Sequence, residues 1–142
     1  MPLVPDAVTF KQKFADLPVT QYSAGEDVLT AGSRTGRLLV LKSGAVEVVK
    51  DGVQIAKVST PGAMFGEMSV LLDQPHSADV RALEQSEFHI ADAILLANDA
   101  TVTLYVAAIL ARRLDSANQA LIEVRRQRSE ERRVGKECQS TC

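Results

Sequence analysis

The chain has few of the residues that metal and disulfide chemistry require. Its 142 residues include two cysteines, two histidines and no tryptophan. Cys138 and Cys142 lie at the extreme C-terminal end, far from His76 and His89. These positions predict neither a disulfide framework nor a metal site. An enzyme of the cupin type, which needs several histidines and a carboxylate around a metal, is disfavoured on the same ground, and no nucleophile–base pair suggests a catalytic residue.

The chain also lacks the charge and hydropathy patterns of nucleic-acid-binding and membrane-spanning proteins. Its 16 basic and 18 acidic side chains give a net charge of −2, so no basic footprint for nucleic acid is expected from this chain alone. No apolar run reaches the length of about 18 residues that a membrane span needs. The N-terminus has no basic segment typical of a signal peptide. We therefore expect a cytoplasmic protein without a membrane partner.

What the sequence does contain, over residues 19–90, is the pattern of a small all-β unit. Asp51-Gly52 is its sharpest turn signal, because Asp-Gly favours the type I′ hairpin. About eight short strands separated by glycine-rich turns suggest a sandwich or barrel. The clearest strand-like runs are residues 27–31, 37–42, 45–50, 53–58, 78–82 and 87–90.

A short helical segment interrupts this pattern and belongs to the most specific motif in the chain. The motif reads Phe-Gly-Glu-Met-Ser-Val-Leu-Leu over residues 65–72 and His-Ser-Ala-Asp-Val-Arg-Ala over residues 76–82. The first N–H groups of such a helix have no intrahelical partners and can hold an anion. Together with the spacing of the turn glycines, the motif resembles the phosphate-binding cassette of the cyclic nucleotide-binding domain family. That family includes bacterial catabolite activator-type regulators, kinase regulatory subunits and gated channels.

The resemblance implies a fold, a ligand and a set of contact residues. The implied fold is mainly β with flanking helices: a cyclic nucleotide-binding-type β-roll (a double-stranded β-helix or jelly-roll) with a short cassette helix and a long C-terminal helix. The implied ligand is a small anion such as cAMP or cGMP. Glu67 would accept from the ribose 2′-hydroxyl, and Ser69 and Ser77 would add donors. The expected binding residues are Gly66, Glu67, Met68, Ser69, His76, Ser77 and Ala78.

The chain departs from the cassette pattern at His76, where the family has an arginine that pairs with the phosphate. A neutral imidazole offers one N–H donor, whereas a charged hydrogen bond contributes about 1.5–3 kcal/mol. We therefore expect weaker binding that strengthens as the pH falls. Arg81 is not expected to replace the missing charge and is predicted to face solvent or a neighbouring element. His89 is predicted to be a surface residue of a strand.

The C-terminal part is predicted to form a long helix over residues 98–127, capped by Asn98 or Asp99. Its apolar residues recur at alternating spacings of three and four, which is a heptad seam. Such a seam predicts a homodimer through this helix. The seam residues are Ala107, Leu110, Leu114, Ala117, Leu121 and Val124.

The last fifteen residues differ in character from the rest of the chain. Residues 128–138 read Arg-Ser-Glu-Glu-Arg-Arg-Val-Gly-Lys-Glu-Cys, which resembles the translation of a widely used sequencing-library adapter. We therefore expect residues 1–127 to be the domain and residues 128–142 to be an artefactual or disordered tail, with the native protein continuing beyond Gln127.

Two functions follow from these observations. The first is a regulatory domain that binds a cyclic nucleotide or a related anion and signals through its C-terminal helix. The alternative is a degenerate cassette without nucleotide that serves as a dimerisation or protein-interaction module. A DNA-binding regulator would need a recognition helix beyond residue 127, and the present sequence contains none.

Overall fold

The described residues include eight strands and three complete helices. A computed structural model describes the backbone of residues 14–141 and the side chains of residues 14–132. The strands are β1 (Val19–Tyr22), β2 (Asp27–Leu29), β3 (Arg37–Ser43), β4 (Val46–Lys50), β5 (Val53–Val58), β6 (Met64–Phe65), β7 (Asp79–Ala82) and β8 (Ser86–Asp92). The helices are α1 (Glu67–Leu72), α2 (Ala93–Asn98) and α3 (Ala100–Thr141).

The strands build two four-stranded antiparallel sheets, which form the β-roll that the family resemblance implies. One sheet has the order β1-β8-β3-β6 and the other the order β2-β7-β4-β5. The β4–β5 hairpin turns at Asp51 and Gly52, whose φ angles of 52° and 78° are both positive. A type I′ turn requires positive φ at both central residues, so the predicted hairpin is confirmed.

The hydrophobic core lies between the inner faces of the two sheets. Phe88 is fully buried at its centre, with the Phe65 ring 6.1 Å and the Tyr22 ring 5.8 Å away, both edge-on. Phe65 and Val80, which flank the cassette, both belong to this core. The core between the sheets therefore anchors the two ends of the cassette. The full core cluster is Val28, Leu29, Leu39, Leu41, Val46, Phe65, Val80, Ala82 and Phe88.

Strand β3 is buried on both faces. Leu39 and Leu41 face the core, whereas Leu38 and Val40 are 0% and 2% exposed although they alternate with them. The second face therefore has a cover of its own. Buried residues outside the inter-sheet core include Phe14, Leu96, Val102 and Val106.

Local capping defines where the two C-terminal helices begin. Asp92 caps α2, since its Oδ1 accepts from Leu95 N–H at 2.9 Å. Asp99 Oδ1 accepts from the N–H groups of Thr101 and Val102 at 3.0 and 3.2 Å. The cap predicted at Asn98 or Asp99 is thus Asp99, and helix α2 before it is an element that the sequence did not reveal.

The chain divides into two compact units, and the boundary between them lies between Val106 and Ala107, inside α3. The backbone of α3 is helical through Thr141 and therefore continues past Gln127. The assignment of residues 128–142 to an artefactual tail stays a prediction, and the side chains of residues 133–142 lie outside the described part. In the second unit, Leu114 and Leu121 of the predicted seam are 64% and 52% exposed.

The prediction that His89 is a surface residue is wrong. It is 8% exposed, and its ring centroid lies 6.3 Å from that of Phe14. Burial lowers the pKa of His89, and a hydrogen bond to the backbone of Leu17 partly offsets this effect. Successive side chains of β8 point to opposite faces of the sheet, so His89 points away from the face that Phe88 occupies. Because both faces of this sheet are covered, the alternation alone could not reveal that His89 is buried.

Candidate functional site

Glycine at position 66 allows the chain to enter helix α1 directly from strand β6. Gly66 has φ 87° and ψ 10°, a left-handed conformation that L-residues rarely adopt. A Cβ atom at this position would lie 2.6 Å from the Arg37 carbonyl oxygen. The backbone of the cassette therefore approaches β3 more closely than a side chain would permit. The helix ends at Asp73, whose φ of 51° is also left-handed.

Helix α1 presents its polar side chain to the interior and several apolar side chains to the surface. Ser69 is 4% exposed and is the buried residue of this six-residue helix. Leu71 and Leu72 are 46% and 59% exposed. The Ser69 hydroxyl oxygen accepts hydrogen bonds from the backbone N–H groups of Thr35 and Gly36, at 3.2 and 3.1 Å. The serine thus binds the loop between β2 and β3, residues 30–36, which we call the β2–β3 loop.

His76 is buried and faces the same loop. It is 5% exposed, and its Nε2 atom lies 3.1 Å from Thr35 Oγ1. The backbone N–H of His76 donates to the Ser33 carbonyl, and the Gly32 N–H donates to the His76 carbonyl, each at 2.9 Å. His76 Cε1 lies 3.5 Å from the position that a Cβ on Gly66 would take. The fold therefore brings Gly66 and His76, which are ten positions apart in the sequence, close together, and so joins the two halves of the cassette.

The environment of His76 favours its neutral form. Burial lowers the pKa of the imidazole below its usual value, and the nearby charge of Glu67 partly offsets this effect. Protonation therefore requires a more acidic solution than a free histidine would need. The predicted strengthening of anion binding should therefore occur only below about pH 6.5, the usual pKa of a free histidine.

The remaining predicted binding residues differ in how far they are exposed. Glu67 is half-buried at the start of α1, and Met68 is 37% exposed. Ser77 is exposed and Ala78 half-buried, between His76 and strand β7. Gly66, Ser69 and His76 thus form the buried base of the site, while the other four lie at or near its surface. That these seven residues contact a ligand stays a prediction.

The structure adds residues of the β2–β3 loop, which the sequence did not indicate. Thr35 and Gly36 contact Ser69, and Thr35 also contacts His76. The N–H of Ala31 donates to Asp79 Oδ1 at 2.7 Å and so joins the same loop to β7. These partners are 33 to 48 positions apart, so no local pattern could reveal them.

An apolar cleft of about 260 Å³ borders the cassette helix. Its walls combine side chains of α1 with side chains of α2 and of the first turns of α3. Movement of α1 would therefore change the surface on which these two helices pack. The lining residues are Val70, Leu71, Ala93, Leu96, Ala97, Thr103 and Val106.

Arg81 lies outside the cassette, as predicted. Its Nε donates to Asp27 Oδ1 at 3.1 Å, and its Nη1 lies 3.9 Å from Glu47 Oε1. These residues belong to three adjacent strands, β2, β7 and β4. Arg81 is therefore an exposed inter-strand arginine, and its guanidinium is already paired with carboxylates.

Within residues 14–132, no cluster of three histidine, cysteine or acidic side chains is arranged to hold a metal ion. No helix in the described part of the chain has the combined length and hydropathy needed to cross a bilayer.

The two-sheet roll carries a cassette whose base is buried and whose outer side chains are exposed. A family model described as "Cyclic nucleotide-binding domain" matches residues 19–93, which is more than half of the chain. The chain belongs to the cyclic nucleotide-binding domain family. The resemblance noted in the sequence is thereby confirmed.

Individual proteins show the same relationship. The cAMP-dependent protein kinase regulatory subunit of Yarrowia lipolytica is 38% identical over 61 residues, covering 43% of this chain and 16% of that protein. Glutaminase 2 of Bradyrhizobium diazoefficiens is 40% identical over 106 residues, covering 68% of this chain and 17% of that protein. The crystal structure of Thermus thermophilus catabolite activator protein is similar with a TM-score of 0.67 and 26% identity, covering 82% of this chain and 58% of that chain.

The chain thus spans about a sixth of the length of these two curated relatives. The similarity concerns a regulatory domain that occurs in proteins of different activity.

Proposed function

We propose that this chain is a sensor domain that binds a cyclic nucleotide, cAMP or cGMP, at the cassette formed by residues 66–78. The observation that carries the proposal is the meeting of Gly66, Glu67 and His76 at the start of α1. The left-handed Gly66 lets the backbone of the cassette lie close to β3, and Glu67 supplies an acceptor for a ribose hydroxyl.

The apolar cleft supports transmission of a signal to the C-terminal helix. Val70 and Leu71 of α1 share its walls with Thr103 and Val106 of α3. Because packed side chains transmit displacements, a ligand that shifts α1 would change the packing at the start of α3. The output of the domain is therefore a change at α3.

We further propose that α3 mediates homodimerisation. Leu114, Leu121 and Val124 of the heptad seam are 64%, 52% and 51% exposed in the single chain. A stripe of large apolar side chains at alternating three- and four-residue spacings is the pattern that pairs with a second identical helix. A second copy of the chain is therefore the partner that this surface fits.

Calorimetric titration with cAMP, cGMP and a cyclic dinucleotide tests the ligand assignment. We expect binding of a cyclic mononucleotide, and we expect Glu67→Ala to weaken it by about one to two decades, the range of a hydrogen bond to a charged group. Glu84→Ala is the matched control, because Glu84 is exposed in the turn between β7 and β8. Absence of binding at millimolar concentration, or equal effects of the two variants, would contradict the proposal.

The alternative is an interaction module without a nucleotide. It is favoured by the engagement of Ser69 and His76 with the β2–β3 loop and by the burial that keeps His76 uncharged. If this alternative holds, the domain dimerises normally, titration with a cyclic nucleotide releases no heat of binding, and the melting temperature does not change. The same titrations therefore separate the two functions.

A further inference from the structure

Thr35 lies where it can decide which nitrogen of His76 carries the proton. Its hydroxyl oxygen is 3.1 Å from His76 Nε2 and accepts a hydrogen bond from the backbone N–H of Arg37 at 3.4 Å. A hydroxyl group has one proton and two lone pairs. With one lone pair directed to Arg37, the hydroxyl keeps its proton and its second lone pair for the imidazole, so Thr35 can donate to Nε2 or accept from it.

The surrounding contacts hold Thr35 in this position. Its own N–H and that of Gly36 donate to Ser69 Oγ. On the other side of the loop, two backbone hydrogen bonds join Gly32 and Ser33 to His76 at 2.9 Å each. The loop that carries Thr35 is thus joined to Ser69 and to the backbone of His76 at several points, which keeps Thr35 beside the ring.

A neutral imidazole carries its proton on one of its two nitrogens, and the hydrogen bond made by one nitrogen fixes the role of the other. When Nε2 accepts from Thr35, the proton must reside on Nδ1. Nδ1 is then the ring nitrogen that can donate to an anionic oxygen.

We propose that Thr35 is a positioning residue of the ligand site, which donates to His76 Nε2 and so holds the ring as the Nδ1–H tautomer, the neutral donor for a ligand phosphate. Thr35 acts through His76 and does not itself contact the ligand. The ligand part of this inference rests on the proposed function, whereas the tautomer is a property of the chain alone.

Nitrogen-15 NMR of the imidazole rings in the full chain tests the tautomer without any ligand. The chain has two histidines, so a His76→Gln variant assigns the signals. At neutral pH we expect the Nδ1–H tautomer for His76 in the native sequence. Thr35→Val, which removes the hydroxyl and preserves the shape, should shift His76 toward the Nε2–H tautomer, and Thr35→Ser should restore the original signals.

Ser33→Ala is the matched control on the same loop. The Ser33 hydroxyl donates to the Thr30 carbonyl at 2.6 Å, and its removal leaves the backbone contacts to His76 in place. The ring signals of His76 should therefore not change in this variant. The proposal would be overturned if His76 is the Nε2–H tautomer in the native sequence. It would also be overturned if Ser33→Ala shifts the ring signals as much as Thr35→Val does.

Titration with cAMP measures the consequence for binding. Thr35→Val should weaken affinity by about two- to tenfold, the range of one neutral hydrogen bond, and should have no further effect in a His76→Gln background. Equal weakening in both backgrounds would refute the positioning role. If the native chain binds no cyclic nucleotide at all, the proposed function fails, while the ring spectra still decide the tautomer.

Discussion

Replacing Gly66 with alanine tests whether the cassette requires glycine both for its backbone angle and for its space. A φ of 87° costs an L-residue about 1–2 kcal/mol. The new Cβ would also lie 2.6 Å from the Arg37 carbonyl oxygen, well inside an ordinary contact distance. Arg37 belongs to β3 and is paired with Asp92 of β8, so this oxygen cannot move freely. Crowding of this kind costs about 1–3 kcal/mol more.

Gly52→Ala provides the control for the backbone angle alone. Gly52 has a similar φ of 78°, but nothing lies within 4 Å of its added Cβ. In urea unfolding we therefore expect Gly52→Ala to lose about 1–2 kcal/mol and Gly66→Ala about 2–5 kcal/mol. Equal losses in the two variants would show that the β3 backbone moves away from the added Cβ without a free-energy cost. The close approach of the two segments would then not explain why glycine is required at position 66.

Four further results are expected. His76→Arg should tighten cyclic nucleotide binding by about one to two decades and flatten its pH dependence, as calorimetry at pH 6 and pH 8 can show. Burial lowers the pKa values of both histidines, so the unfolded chain binds more protons than the folded chain, and the free energy of unfolding should fall as the pH drops below about 6.5. His89→Phe should make this dependence on pH shallower in urea unfolding experiments. Leu114→Glu with Leu121→Glu should convert a dimer to a monomer by light scattering, and a monomeric native chain at high concentration would contradict the seam. Deleting residues 128–142 should leave the melting temperature unchanged, whereas a drop of several degrees would show that this segment stabilises the domain.

Local signals in the sequence predicted short strands with tight turns, and the family resemblance of one motif implied the β-roll and the position of the cassette. The Asp51-Gly52 turn was predictable because positive φ at two successive residues is a property of the residues themselves. Helix α1 was predictable from its flanking glycine and proline, and the start of α3 from its acidic cap. The motif over residues 65–82 indicated the family because its two halves occur at a fixed separation.

The tertiary structure alone decided what the side chains of the cassette contact. Ser69 and His76 were predicted as ligand donors, and the fold directs both to Thr35, which lies 34 and 41 positions away. His89 alternates along its strand as a surface residue would, yet it is buried because its sheet is covered on both faces. Turns and caps depend on neighbouring residues and can be predicted from them. Hydrogen-bond partners and burial depend on which distant segments the core brings together, and this is why only the folded chain reveals them.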